Sequence, residues 1–186
     1  MPRFLLLAAL PLALLAATDA RAQSSTGAPS PQTTDFIAKA AATDAFERDA
    51  GQLAEKKSQN AEVREYGAMM ARVHADTTEK LLAVLTKDRL PKPSKTPSPD
   101  PTQAKQLTDL VNAPKGQFDR AYMHSQVTAH RMALALMQDY AANGDNPDLK
   151  MLAADTEGLV QRHLDMATKL EAQLGGPPKS LGRKED

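Results

Sequence analysis

The 186-residue chain contains no cysteine and no tryptophan, and only three tyrosines and four phenylalanines. Without cysteine there are no disulfides, thiolate metal sites, cysteine nucleophiles or lipid anchors on sulfur. A core with so few rings must rely on Leu, Ala, Val and Met, which favours packed helices over a sandwich or barrel. Charge of one sign is also lacking, since 23 basic residues face 23 acidic ones. That balance excludes an electrostatic footprint for nucleic acid or an anionic membrane surface. Nor is there a Gly-rich phosphate loop, a serine nucleophile elbow or a zinc-protease motif.

What is present begins with a leader. Residues 1–22, "MPRFLLLAALPLALLAATDARA", combine Arg3, the apolar run Phe4 to Ala17 and small residues at Ala20 and Ala22, the layout of a secretory signal peptide. The run is shorter than the ~20 apolar residues of a spanning helix and Pro11 interrupts it. The mature chain is expected to begin at Gln23 and to be periplasmic or secreted, with no integral membrane insertion once the signal is removed.

Proline placement divides the rest. Five of the 13 prolines fall in "LPKPSKTPSPDP", Leu90 to Pro101, and none breaks a periodic run in the mature chain. Residues 23–33 and 175–186, rich in small and polar residues, read as a disordered leader and a disordered tail around one domain over 34–174. Within it the periodicity predicts four long helices. The first runs from about Thr34 to Ser58 with Phe36, Ala40, Thr43, Glu47, Ala50 and Ala54 inward. The second is capped by Asn60 and reaches about Arg89 through Val63, Tyr66, Met70, Val73 and Val84. The third extends from Pro114 or Gly116 to Asn143. The fourth occupies about Pro147 to Leu174, with Leu149, Leu152, Leu159, Leu170 and Leu174 inward.

The second and third helices are separated by a long connection containing a short helix, "TQAKQLTDLVN". A plain up-down bundle would need only a short link there. The predicted fold is therefore all-α, a ferritin-like four-helix bundle with one long crossover, which makes the second and third helices parallel.

The stretches "DFIAKAAATDAFERDAGQLAEKKSQNAEVREYGAMMARVHADTTEKL", "GQFDRAYMHSQVTAHRMALALMQ" and "NPDLKMLAADTEGLVQRHLDMATKL" resemble the exported domain-of-unknown-function family 4142 (DUF4142), grouped with ferritin-like bundles and labelled predicted outer membrane protein. The resemblance covers Asp35 to Leu174. It implies the fold and export, and it places the recurrent features on Glu47, His74, Phe118, Asp119, Tyr122, His130 and the "H-L-x-x-A" of His163 to Ala167. One departure stands out: the family carries Asp directly before the second-helix histidine, whereas this chain has "VHAD", with Asp76 after it.

Each long helix contributes one polar group to an apolar face: Glu47, His74, His130 and His163. At ~1.5 Å per residue, Glu47 and His74 lie about 18 and 22 Å from the first hairpin turn, and His130 and His163 about 22 and 27 Å from the second. With the two turns at opposite ends of a crossover bundle, all four fall near its middle. Two functions then compete. The first is a non-enzymatic binding or envelope-stress protein whose buried Glu/His layer is satisfied by hydrogen bonds to Glu47, Tyr122, Thr43 or Thr77, with an envelope protein or a second copy as partner. The alternative is a metal-binding or metal-dependent redox protein using Glu47, His74, His130 and His163 on a transition metal ion. A conventional di-iron ferritin is disfavoured, because Ala71 and Val160 stand where Glu-x-x-His would place carboxylates before His74 and His163. His124, sharing a face with Arg120, Thr128 and Arg131, reads as a surface residue. The methionines, including Met123, Met132, Met137, Met151 and Met166, read as core filling rather than copper ligands.

Overall fold

A computed structural model describes residues 28–93 and 98–178. The expected signal segment 1–22, residues 23–27 of the leader, four residues of the Pro-rich connection and the end of the tail lie outside the described residues. The described residues form five helices: α1 Pro31–Lys57, α2 Ala61–Lys87, α3 Pro101–Asn112, α4 Lys115–Asn143 and α5 Pro147–Gln173. No helix among them is long and apolar enough to cross a membrane.

The helix starts follow from local chemistry. Asn60 accepts from the amides of Glu62 and Val63, and Asn146 accepts from Leu149, each satisfying donors that have no partner inside the helix. Asp100 and Gln103 form a reciprocal capping box that opens α3. Helix α1 starts at Pro31, three residues before the expected Thr34, because Ser30 caps it and Pro31 occupies the first turn. The gained residue Thr33 is buried and bonded to both Tyr140 and Asp145, which ties the start of α1 to the α4–α5 turn.

Helices α1 and α2 form one antiparallel hairpin and α4 and α5 the other, and the pairs of touching rings fix their relation. Tyr66 meets Tyr122 at 6.3 Å between centroids and, two turns on, His74 meets His130 at 5.9 Å. Residue numbers rise together along α2 and α4, so these helices are parallel, as the long connection predicted. Phe36 stacks on Tyr140, and the Asn146 amide donates to Asp88 at 2.9 Å, so the α4–α5 turn lies at the end opposite Ser58 and Asn60. The crossover helix α3 lies along α1. Gln103 reaches Thr43 and, further on, the Lys57 ammonium donates to the Leu110 carbonyl at 3.0 Å.

The apolar core is divided in two. One cluster, toward the α1–α2 turn, contains Phe46, Tyr66, Met70, Phe118 and Tyr122. The other, toward the α4–α5 turn, contains Phe36, Leu81, Leu85, Tyr140 and Leu149. Each large side chain withdrawn from water stabilises the fold by about 1.5–3 kcal/mol. Helical phase differs from expectation on several helices. On α2 the buried stripe passes through His74, Leu81 and Leu85, leaving Val73 and Val84 only half-buried. A 3.6-residue turn drifts against a 3.5-residue seam, so two adjacent phases compete over a helix this long. On α5 the buried centre is Leu149, Ala153, Val160, His163 and Ala167, and Leu152, Leu159, Leu170 and Leu174 flank it. The methionines split: Met70, Met123 and Met137 fill the core, but Met132, Met151 and Met166 are exposed, which corrects the core-filling expectation for those three.

Candidate metal centre

Between the two apolar clusters lies a polar layer. Glu47, His74, His130 and His163 are all buried, at 1, 5, 1 and 2 % exposure, so the four sequence-derived candidates occupy the bundle interior. The three imidazole rings form a near-regular triangle, with centroids 5.9 Å apart from His74 to His130, 5.9 Å from His74 to His163 and 5.4 Å from His130 to His163. One nitrogen from each ring lies within 4.8 Å of the other two. Glu47 stands beside this group rather than within it, with Oε1 3.7 Å from His130 Nδ1.

Outer hydrogen bonds orient two of the rings. His74 Nδ1 donates to Asp44 Oδ1 at 2.8 Å, and the same carboxylate accepts from Thr77 at 2.8 Å and Thr78 at 3.2 Å. His130 Nδ1 donates to the Gln126 carbonyl at 2.9 Å, one turn back on α4. With Nδ1 occupied, Nε2 of each ring is left buried, and among the described residues neither Nε2 has a hydrogen-bond partner. His163 Nδ1 and both Glu47 oxygens are likewise buried and unpartnered. The hydrogen bonds expected of a purely structural layer are therefore made only on its outside. Among the described residues these five atoms make no well-formed hydrogen bond, although the Gln126 side chain helps hold the Glu47 carboxyl, and each buried group left without a partner costs about 1–3 kcal/mol.

Asp44 was not among the sequence candidates. It lies one turn before Glu47, and the predicted α1 stripe took the neighbouring Thr43 instead, which is only half-buried. Three- and four-residue spacing accommodates either, and a carboxylate three residues from Glu47 on an Ala-rich face was the signal that could have found it. Asp76, the displaced carboxylate of "VHAD", is exposed, and Asp44 supports His74 in its place. His124 is on the surface as expected, its Nδ1 2.8 Å from Glu171.

The layer's electrostatics are those of titratable groups removed from water. Burial pushes the Glu47 carboxyl up to about 7, a rise that the His74 charge partly offsets. Burial holds His130 down to about 3 and His163 to about 4, so both rings are neutral with lone pairs available. Burial also opposes charge on His74, but the Asp44 hydrogen bond and the carboxylates of Glu47 and Asp44 overcome it and leave this ring above its ordinary value. Nearby, Tyr122 and both ends of the Gln126 side chain are buried without well-formed hydrogen bonds.

The donor set suits a transition metal ion. An ion held tetrahedrally at ~2.0–2.1 Å needs its nitrogens about 3.3 Å apart, so even at the 4.8 Å limit each ring would close in by about 0.9 Å. The two outer bonds, histidine to carboxylate and histidine to backbone carbonyl, are the supports that metal-ligating imidazoles ordinarily have.

Comparison with known proteins bears on the fold. The crystal structure of a DUF305 fragment from Deinococcus radiodurans superposes with a TM-score of 0.65 at 17% identity, over 80% of this chain and 99% of that one. At that identity the likeness is one of architecture alone. No curated protein matches the chain. The family model described as "Domain of unknown function (DUF4142)" matches residues 18–170, and the chain belongs to that family.

Proposed function

We propose that this DUF4142 bundle is an exported binding protein that holds one transition metal ion at mid-height. His74, His130 and His163 supply the nitrogen ligands, and Glu47 is the adjoining carboxylate that offsets the ion's charge. The observation that carries this reading is the convergence of three buried imidazoles, each with a ring nitrogen that has no hydrogen-bond partner among the described residues. One ion would satisfy those three nitrogens at once. Neutral His130 and His163 are ready to coordinate, whereas His74 must give up its Nε2 proton, so uptake of metal releases a proton and weakens in acid. Three imidazoles with a carboxylate suit Zn, Cu, Ni or Fe better than the oxygen-seeking Ca or Mg. Export rests on the signal-like character of residues 1–22.

The test is metal analysis of protein purified without a histidine tag, after incubation with zinc or copper and removal of free ion. The expected result is one tightly held ion per chain, lost in His74→Ala/His163→Ala. Retention of the same amount of metal by that variant would place the ion elsewhere.

A further inference from the structure

A cavity of about 40 Å³ lies on one side of the histidine layer, between it and the apolar cluster toward the α4–α5 turn. Its walls include Phe36, Ala40, Leu81, Ala133 and Val160, its floor is made by His74 and His163, and Asp44 and Thr43 also border it from α1. His130 and Glu47 do not line it. Two of the three imidazoles therefore border free space on one side, while the Glu47 carboxylate occupies the other. Toward the surface the cavity is bordered by Thr77, Thr156 and Lys80, the last exposed, between α2 and α5.

The size and chemistry of this space restrict what it can hold. A water molecule needs about 10–15 Å³ of such volume, and a cavity that takes benzene is about 150 Å³. About 40 Å³ fits a molecule of two or three heavy atoms. Mostly apolar walls offer little to replace a hydration shell and the Asp44 carboxylate repels negative charge, so strongly hydrated anions such as phosphate or carboxylates are disfavoured. Weakly hydrated small ligands, such as diatomic gases and azide, are not.

We infer that the metal ion keeps an open coordination position toward this cavity, and that a weakly hydrated ligand of two or three heavy atoms binds it there. This rests on the metal reading above and adds to it a direction of approach and a class of ligand. Three protein nitrogens with a fourth position left open is an arrangement that admits an external ligand.

The experiment uses the full untagged chain loaded with Cu(II), with copper content measured first, and azide as the probe, followed by its charge-transfer absorption and by electron paramagnetic resonance. Azide is expected to change both spectra in the unaltered protein. In Ala133→Leu, which adds bulk to the cavity wall, copper content should be unchanged and azide affinity should fall at least tenfold. Ala40→Val intrudes on the same cavity from α1 and serves if the first variant does not fold. Copper bound but spectra indifferent to azide, or equal azide affinity in the filled variants, overturns the open position while leaving the metal reading intact. No bound copper in the unaltered protein overturns the metal reading and this inference with it.

Discussion

Asp44 Oδ1 lies 2.8 Å from His74 Nδ1, so a carboxylate from α1 orients the α2 imidazole from outside the histidine triangle. Both groups are buried, and Thr77 and Thr78 hold the carboxylate in turn. The His74 ring is thereby fixed in the tautomer that leaves Nε2 facing inward, with the negative charge of Asp44 raising its basicity.

Asp44→Asn keeps the shape but removes that charge. Metal affinity should fall by about 10- to 100-fold, as is usual when the support of a ligating histidine is lost. Competition with a chelator of known affinity measures it, and an unchanged affinity would mean that Asp44 serves only the fold.

Stability of the metal-free protein should rise with pH between about 4.5 and 6.5. His130 and His163, held near 3 and 4, stay neutral when folded but take up protons when unfolded as pH drops below 6.5. Glu47 acts in the opposite sense: its folded value of about 7 lies above the usual 4.5, so its contribution is complete below 4.5 and is lost as pH rises through 7. His74, with its value raised, is protonated in both states through most of this window and largely cancels. Two protons gained on unfolding against one released leave a net of about one, or about 1.4 kcal/mol per pH unit. Denaturant titrations across the window read the slope, and a flat or falling curve would contradict it.

The α1–α2 hairpin depends on a close backbone approach. A Cβ on Gly51 would stand 2.8 Å from the Ala71 amide nitrogen and nearer still to the Gly67 carbonyl, and backbone cannot swing aside. Gly51→Ala should destabilise the protein by about 1–3 kcal/mol. Gly158 in α5 has only the Arg162 guanidinium at 3.6 Å as a neighbour, so Gly158→Ala should stabilise by about 0.5–1 kcal/mol through the helical backbone. Chemical denaturation of the two variants should therefore give shifts of opposite sign.

Much of the architecture was legible because its signals are local or countable. Asn60 and Asn146 mark helix starts, and the length of the Leu90–Pro114 connection demands a crossover. The interior placement of Glu47, His74, His130 and His163 followed from their intrusion into apolar stripes. What escaped depends on contacts between helices. Asp44 and Thr43 are equally compatible with the α1 spacing until α2 is docked and His74 meets one of them. The cavity is bounded partly by Ala40 and Ala133, which a periodic count scores as core whether or not their neighbours fill the space they leave. The exposure of Met132 and Met151 likewise depends on side-chain direction around α4 and α5, which composition does not carry.

The central claim is that three imidazoles from α2, α4 and α5 converge on one ion. X-ray absorption spectroscopy of the zinc-loaded, untagged protein tests it most directly. The account predicts a first shell containing three imidazole nitrogens at roughly 2.0–2.1 Å, with the outer-ring scattering of histidine, reduced to fewer imidazoles in His130→Ala. A shell of oxygens alone, or a spectrum that His130→Ala leaves unchanged, would contradict it.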